Sequence, residues 1–117
     1  MLSNDNAKKF VNKTLVGDVR YTTTYVNNWL SMTEDVKCYM LYINKELISI
    51  CLISKIDSDP SRKYTDPYML NFIYTFPKHR EENYARTLLR HIKDHEQMIA
   101  YGIDKKLNEL LESSGFV

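Results

Sequence analysis

The sequence predicts an α+β fold with a mixed β-sheet, formed by a single domain of 117 residues. Three observations favour that class: two segments with helical periodicity at the start, two β-rich runs around a short polar turn, and then a strand, a helix and a strand in succession. A chain of this length can bury one core but not two independent ones. Residues 1–117 are therefore expected to form one domain.

Two helices are predicted at the start of the chain. In residues 4–15 the apolar side chains recur at three- and four-residue steps, and Gly17 is placed to end the helix. A second segment, up to Leu30, shows the same spacing, although its run of threonines lowers its helix propensity. The two apolar faces comprise Ala7, Phe10, Val11 and Leu15, and Tyr25, Val26, Trp29 and Leu30.

An antiparallel β-hairpin is predicted next. The runs CYMLYI (38–43) and LISICLISKI (47–56) are rich in β-branched and aromatic residues and flank the polar turn NKE. They contain both cysteines, Cys38 and Cys51, which neighbouring strands could bring together. Because no hydrophobic leader or long apolar span is evident, we expect a cytoplasmic, reducing setting and two buried free thiols.

A strand, a helix and a strand follow, which predicts a parallel β-α-β crossover. After a loop at 57–68, the run MLNFIYTF (69–76) is apolar at nearly every position, as in a central strand covered on both faces, and Pro77 ends it. MIAYGI (98–103) supplies the next strand, and a final helix follows it. The apolar stripes of the two helices are Tyr84, Ala85, Leu88, Leu89 and Ile92, and Leu107, Leu110 and Leu111.

Charge and histidine spacing exclude several classes of function. Sixteen basic and fifteen acidic residues give a net charge of +1, so neither nucleic acid nor a membrane is an expected partner. His91 and His95 could face one metal ion, but Ile92 occupies the position where a zinc protease has glutamate, and no third ligand is evident. We expect a solvated helix face there and no metal site.

The junction between the apolar strand and the next helix carries the strongest functional signal. A helix that begins directly after a strand points its free backbone N–H groups and the positive end of its dipole beyond the sheet, where anions bind. A backbone that approaches an anion closely usually has glycine, and Asn83 is the best substitute for glycine at positive φ. An anion site is therefore predicted at Asn83.

The run FPKHREENYARTLLRHI, which spans this junction, resembles the acetyl-CoA-binding signature of the GNAT acyltransferases. That signature is Gln or Arg, two free positions, Gly, one free position, then Gly or Ala, and here it falls on residues 80–85, REENYA. The hairpin is similar to the second and third strands of that family, and AYGIDKKLNELLESSGF to its fifth strand, next helix and terminal Gly-Phe. The resemblance covers residues 38–117 and implies a divergent, short GNAT-like domain with two N-terminal helices and without the usual first and last strands.

The resemblance implies an N-acetyltransferase that uses acetyl-CoA as co-substrate and acts on an amine of unknown identity. The pyrophosphate would rest on the loop and helix start, and the backbone of the fourth strand would pair with the pantetheine arm. Glu81 and Glu82 fit a helix start, where acidic residues interact favourably with the dipole. The implied cofactor-binding residues are Ile73, Thr75, Arg80, Glu81, Glu82, Asn83, Tyr84, Ala85 and Arg86.

The usual catalytic groups of the family are missing. Leu111 occupies the place of the common tyrosine, and Met69 that of the glutamate which other branches use. The catalytic candidates that remain near the splayed strands are Tyr68, Asn71 and Tyr74, with Asp66 beside them. The alternative is a catalytically silent GNAT-like binding or assembly module, and open sheet edges would invite a second copy of the chain or a partner to cover them.

Overall fold

The described residues form a five-stranded mixed sheet with helices on both faces, which confirms the predicted α+β class. The computed structural model describes residues 1–15, 24–33, 35–56, 65–79, 82–99 and 109–112. The strands lie in the order β1-β2-β3-β4-β5; β1 to β4 pair antiparallel and β4 pairs with β5 in parallel. The elements are β1 (Leu2–Ser3), α1 (Asn4–Thr14), α2 (Thr24–Leu30), β2 (Val36–Ile43), β3 (Glu46–Lys55), β4 (Pro67–Thr75), a 3-10 helix (Pro77–His79), α3 (Tyr84–His95), β5 (Gln97–Ile99) and the helical segment α4 (109–112).

The predicted hairpin is present as β2 and β3. Its turn consists of Asn44 and Lys45, at φ 51° and 68°, and Glu46 already belongs to β3. Two successive residues at positive φ give the turn that matches the twist of a two-residue hairpin. Asparagine suits this conformation, whereas lysine adopts it at a cost.

The strand that is covered on both faces is β3. All of its residues from Ile48 to Ser54 are buried, whereas β4 is only half-buried from Met69 onward. The expectation that the strand at 69–76 is covered on both faces is met only in part, because its side chains pack against both apolar layers but stay half-buried. The physical reason is that, among the described residues, β5 pairs with β4 only at Pro67, Tyr68 and Met69.

Two separate apolar layers enclose the sheet. Cys38 packs with α1 and α2 on one face, and Cys51 packs with α3 and α4 on the other. In the hairpin register Cys38 lies opposite Leu52, and Cys51 lies opposite Tyr39, so the two thiols point to opposite sides of the sheet. Both are free and buried, as predicted. Burial raises the pKa of Cys38 to about 12 and that of Cys51 well above its usual value.

The start of the chain differs from the sequence-based expectation. Leu2 and Ser3 form a short strand that pairs with Cys38 and Lys37, so the expectation that no strand precedes the helices is wrong. Two residues are too few to produce a strand pattern in a sequence. Asn4, at φ 49°, then turns the chain into α1, and its Oδ1 accepts a hydrogen bond from the Val36 N–H at 3.2 Å.

Several expectations remain as predictions. The helix end predicted at Gly17 lies outside the described ranges. The expected absence of the family's last strands also concerns residues outside those ranges. Among the described residues, β1 pairs with the edge of β2 only at Lys37 and Cys38. The expected second copy or partner at a sheet edge stays a prediction. Within the described ranges, no helix has the length and apolar character needed to cross a bilayer.

Candidate functional site

The sheet changes its pairing in the first half of β4. The pairs between β4 and β5 run from Pro67↔Gln97 to Met69↔Ile99, and no further pair occurs among the described residues. On the other edge of β4, Leu70 lies opposite Ile53 and Phe72 opposite Leu52, which leaves Asn71 as the extra residue of a β-bulge. Bulges bend a strand and redirect its side chains, and they are common next to functional sites.

Asn71 therefore lies just beyond Met69, the last residue of β4 that pairs with β5 among the described residues. Its side-chain Oδ1 is buried and accepts no hydrogen bond from a described residue. A buried acceptor without a donor is unfavourable by about 1 to 3 kcal/mol, and such groups are rare unless they have a role. Asn71 is thus the sequence-predicted candidate with a buried acceptor that no described residue satisfies.

The two tyrosine candidates do not meet. Tyr68 is buried on the α3 face, where the Lys37 amine lies 4.5 Å from its ring centroid. Tyr74 lies on the opposite face, with its ring centroid 6.1 Å from that of Phe72 and 5.3 Å from that of Phe76. Both rings are used in packing, so the structure does not bring the three candidates together around one point.

The connection from β4 to α3 is fixed at both ends by backbone hydrogen bonds. The Phe76 N–H donates to Ile48 O on β3 at 3.0 Å, and the His79 N–H donates to Phe76 O at 2.8 Å, closing the 3-10 turn. At the other end Asn83 has the left-handed conformation, φ 61° and ψ 20°, and its carbonyl accepts the Thr87 N–H at 3.1 Å. The positive φ that the sequence predicts at this position is confirmed.

The start of α3 has the backbone geometry that the predicted anion site requires. The first N–H groups of an α-helix have no acceptor within the helix, and α3 begins at Tyr84, directly after the left-handed residue. Glu82 is exposed and Arg86 is half-buried. Arg80 and Glu81 lie outside the described residues.

The remaining predicted cofactor residues lie on β4 and on the first turn of α3. Ile73 and Thr75 are half-buried and pair with Cys51 and Ser49 of β3. The Thr75 Oγ1 lies 3.1 Å from Ser49 Oγ, which also donates to Tyr74 O at 2.9 Å. Tyr84 and Ala85 are likewise half-buried, so the predicted residues that are described lie on β4 and at the start of α3.

One residue that contacts the connection from β4 to α3 is not marked as part of the site by any pattern in the sequence. Glu46, at the start of β3, has its Oε1 3.1 Å from His79 Nε2 and 3.4 Å from Lys78 Nζ. His79 and Lys78 together hold the pKa of the Glu46 carboxyl below its usual range. Sequence reasoning missed Glu46 because it lies in a hairpin far from the junction along the chain, although it contacts it in space.

Comparison with known proteins identifies the fold. No protein-family model and no curated protein matches the sequence. Among solved structures, the chain is similar to an aminoglycoside 6'-N-acetyltransferase from Acinetobacter haemolyticus, with 16% identity, a TM-score of 0.60, and coverage of 100% of this chain and 91% of that one. The chain has the GNAT acetyltransferase fold.

Two further structures show the same GNAT fold. Aminoglycoside N-acetyltransferase AAC(6')-Iy, solved in complex with CoA, has 12% identity and a TM-score of 0.65, over 99% of this chain and 90% of that one. A ribosomal-protein-alanine N-acetyltransferase from Brucella melitensis has 14% identity and a TM-score of 0.56, over 75% of this chain and 67% of that one. The identities are low, so the likeness is one of fold.

Within this GNAT fold, the two positions expected to hold catalytic groups are apolar. Leu111 is buried in the layer that contains Leu88 and Leu89 of α3. Met69 is half-buried and pairs with Ile99 of β5. Neither side chain can exchange a proton, so any chemistry at this site depends on other residues or on water.

Proposed function

We propose that the protein is an acetyl-CoA-dependent N-acetyltransferase that acts on an amine. The observation that carries the proposal is Asn83: its left-handed backbone directly precedes the first turn of α3, in the connection that follows β4 and the 3-10 helix. A left-handed residue here sets the turn by which the chain enters the helix, and the first N–H groups of a helix have no acceptor within it and can bind a pyrophosphate. The similar aminoglycoside N-acetyltransferase was solved with CoA, and that supports the same ligand here.

The residues that would hold acetyl-CoA follow the route from β4 to α3. The backbone at Ile73 and Thr75 would pair with the pantetheine arm. The helix start from Asn83 to Arg86, together with Arg80, would bind the pyrophosphate, with backbone N–H groups as the main donors. Because Glu82 is exposed, its carboxylate can remain in solvent and leave those donors available.

The proposed chemistry needs orientation more than acid–base groups. A neutral amine nitrogen attacks the thioester carbonyl, a C–N bond forms, the C–S bond breaks, the amine loses a proton to water, and the thiolate of CoA takes one from solvent. Correct placement of two reactants alone can supply about 7 to 11 kcal/mol of the barrier reduction. We propose that Asn71 supplies part of that placement, because its buried Oδ1 can accept an N–H from the amine.

The cofactor part is tested by titrating the protein with acetyl-CoA in a calorimeter. The Asn83→Trp variant should lose binding because the indole obstructs the helix start, whereas Asn83→Gly keeps the left-handed backbone and should bind like wild type. No heat from the wild-type protein at near-millimolar acetyl-CoA would refute the proposal.

The transfer part is tested by following CoA thiol release with a panel of amines. Both cysteines are buried, so the native protein should contribute little background to a thiol reagent. Asn71→Leu should lower kcat/KM for the amine by about tenfold and leave the affinity for acetyl-CoA unchanged, while Asn71→Asp, which keeps an acceptor oxygen, should retain more activity. An equal loss of activity in both variants would show that the acceptor oxygen of Asn71 does not place the amine.

A catalytically silent GNAT-like module is the second candidate. The burial of Leu111 among core leucines favours it, because this position has no side chain that could protonate a leaving thiolate. Binding of acetyl-CoA without thiol release from any amine would favour this candidate over the enzyme.

A further inference from the structure

Glu46 and His79 join the β2–β3 hairpin to the connection between β4 and α3. The His79 Nε2 is buried and lies 3.1 Å from the Glu46 Oε1, within ion-pair distance although not aligned as a hydrogen bond. The His79 side chain is only 17% exposed, whereas Lys78, the other partner of Glu46, is 77% exposed. Because solvent weakens exposed pairs, the contact with His79 is the one that can hold the connection in place.

His79 also reaches the start of α3. Its ring centroid lies 6.4 Å from that of Tyr84, with the two planes at 68°, an edge-to-face arrangement. The His79 N–H closes the 3-10 turn on Phe76 O, and Phe76 is itself bonded to β3. His79 therefore bonds to Phe76 through its backbone, while its imidazole contacts Glu46 of the hairpin and Tyr84, the first residue of the helix.

We propose that Glu46 is a positioning residue: through His79 it fixes the start of α3 relative to β4 and so shapes the backbone at Asn83. The part of this inference that concerns acetyl-CoA rests on the proposed function, while the part that concerns the backbone does not. Glu46 itself does not contact acetyl-CoA. Its carboxylate contacts the imidazole of His79, and the imidazole packs edge-to-face against Tyr84.

The direction of the effect separates positioning from simple electrostatics. An acid beside an anion site repels the anion, so removing its charge should tighten acetyl-CoA binding if nothing else changes. If Glu46 positions the helix start, Glu46→Gln should instead weaken acetyl-CoA binding by about three- to fivefold, the scale of a partly exposed ion pair. His79→Gln should have a similar effect, and the double variant should be no weaker than His79→Gln alone, since both act through one contact.

The backbone part is tested without any ligand, by amide hydrogen exchange. In Glu46→Gln the N–H groups of His79 and Thr87, which donate to Phe76 O and Asn83 O, should exchange about three- to fivefold faster. The Glu96 N–H, bonded to Ile92 O at the far end of α3, should keep its wild-type rate, which a general loss of stability would not allow.

The matched control is Asp66→Asn. Asp66 is also a half-exposed acid paired across strands, with its Oδ1 3.1 Å from Lys55 Nζ, but it lies at the other end of β4. This variant should change neither the exchange of His79 and Thr87 nor acetyl-CoA binding. Unchanged exchange in Glu46→Gln, or acetyl-CoA binding that becomes tighter, would overturn the inference. If wild-type protein binds no acetyl-CoA, the proposed function fails and the exchange rates alone decide the role of Glu46.

Discussion

Glu96 should be one of the most sensitive charged residues of the described fold. Its Oε1 lies 2.6 Å from the Lys37 Nζ and accepts a hydrogen bond from the Tyr39 hydroxyl at 2.9 Å. These contacts tie the end of α3 to β2, across the layer that contains Cys51. The perturbation is Glu96→Gln, which keeps the size and the acceptor oxygen but removes the charge.

The magnitude follows from the burial of the pair. Breaking a fully buried pair costs about 3 to 5 kcal/mol, and exposed pairs contribute about 0.2 to 1 kcal/mol. The side chains of Lys37 and Glu96 are 21% and 11% exposed, between these limits. We therefore expect Glu96→Gln to lower the free energy of unfolding by about 2 kcal/mol. Tyr39→Phe, which removes one hydrogen bond and leaves the ion pair, should cost about 1 kcal/mol.

Urea unfolding of the variants at neutral pH measures these differences. Asp66→Asn is the control, because it breaks a pair whose side chains are 45% and 58% exposed and should cost much less than Glu96→Gln. If Glu96→Gln cost no more than Asp66→Asn, the reasoning from burial would be refuted.

The same pair has a predictable dependence on pH. Burial lowers the pKa of the Lys37 amine, but the Glu96 carboxylate outweighs it, so the pKa is raised in the folded protein. A raised pKa means that the stabilisation is complete below the unfolded value near 10.5 and is lost as the pH rises through the folded value. The difference between wild type and Glu96→Gln should therefore shrink as the solution becomes strongly alkaline.

Three further outcomes are expected. Lys45→Gly should raise the free energy of unfolding by about 0.5 to 1 kcal/mol, because Lys45 has φ 68°; a lower urea midpoint would contradict this. The pKa of the Cys38 thiol is near 9 in the unfolded chain and about 12 in the folded protein. Its contribution to the free energy of unfolding is therefore complete below pH 9 and is lost as the pH rises toward 12. At pH 11 that loss is about 2 to 3 kcal/mol, and urea titrations should show a smaller decline for Cys38→Ala than for wild type. Trp29→Phe should cost about 2 kcal/mol because it removes the hydrogen bond from the Trp29 Nε1 to Ile53 O; a cost below about 0.5 kcal/mol would mean that water replaces the indole.

The sequence predicts those features that depend on neighbouring residues. The helices, the hairpin and the crossover follow from the spacing of apolar side chains, and the left-handed backbone of Asn83 follows from the preference of asparagine at positive φ. Each is decided within a window of about ten to fifteen residues. The resemblance to the GNAT signature adds the expected ligand but not the acceptor amine.

Features that depend on contacts between distant segments could not be predicted. The bulge at Asn71 arises from the register between β3 and β4, and Glu46 meets His79 only because the hairpin folds beside the 3-10 turn. The half-burial of β4 was missed for the same reason, since an apolar run looks alike whether or not a neighbouring strand stays paired along its length. Periodicity reports which side chains prefer to be buried, not which partners bury them.

The two thiols lie on opposite faces of the sheet. Each thiol can therefore report when the apolar layer that covers it opens. A reagent can modify Cys38 only after the layer of α1 and α2 opens, and Cys51 only after the layer of α3 opens. Single-cysteine variants would therefore time the release of each layer separately, under native conditions and without an attached label. A bound ligand at the start of α3 should slow the modification of Cys51 more than that of Cys38, so that thiol chemistry on one face would register occupancy of the site.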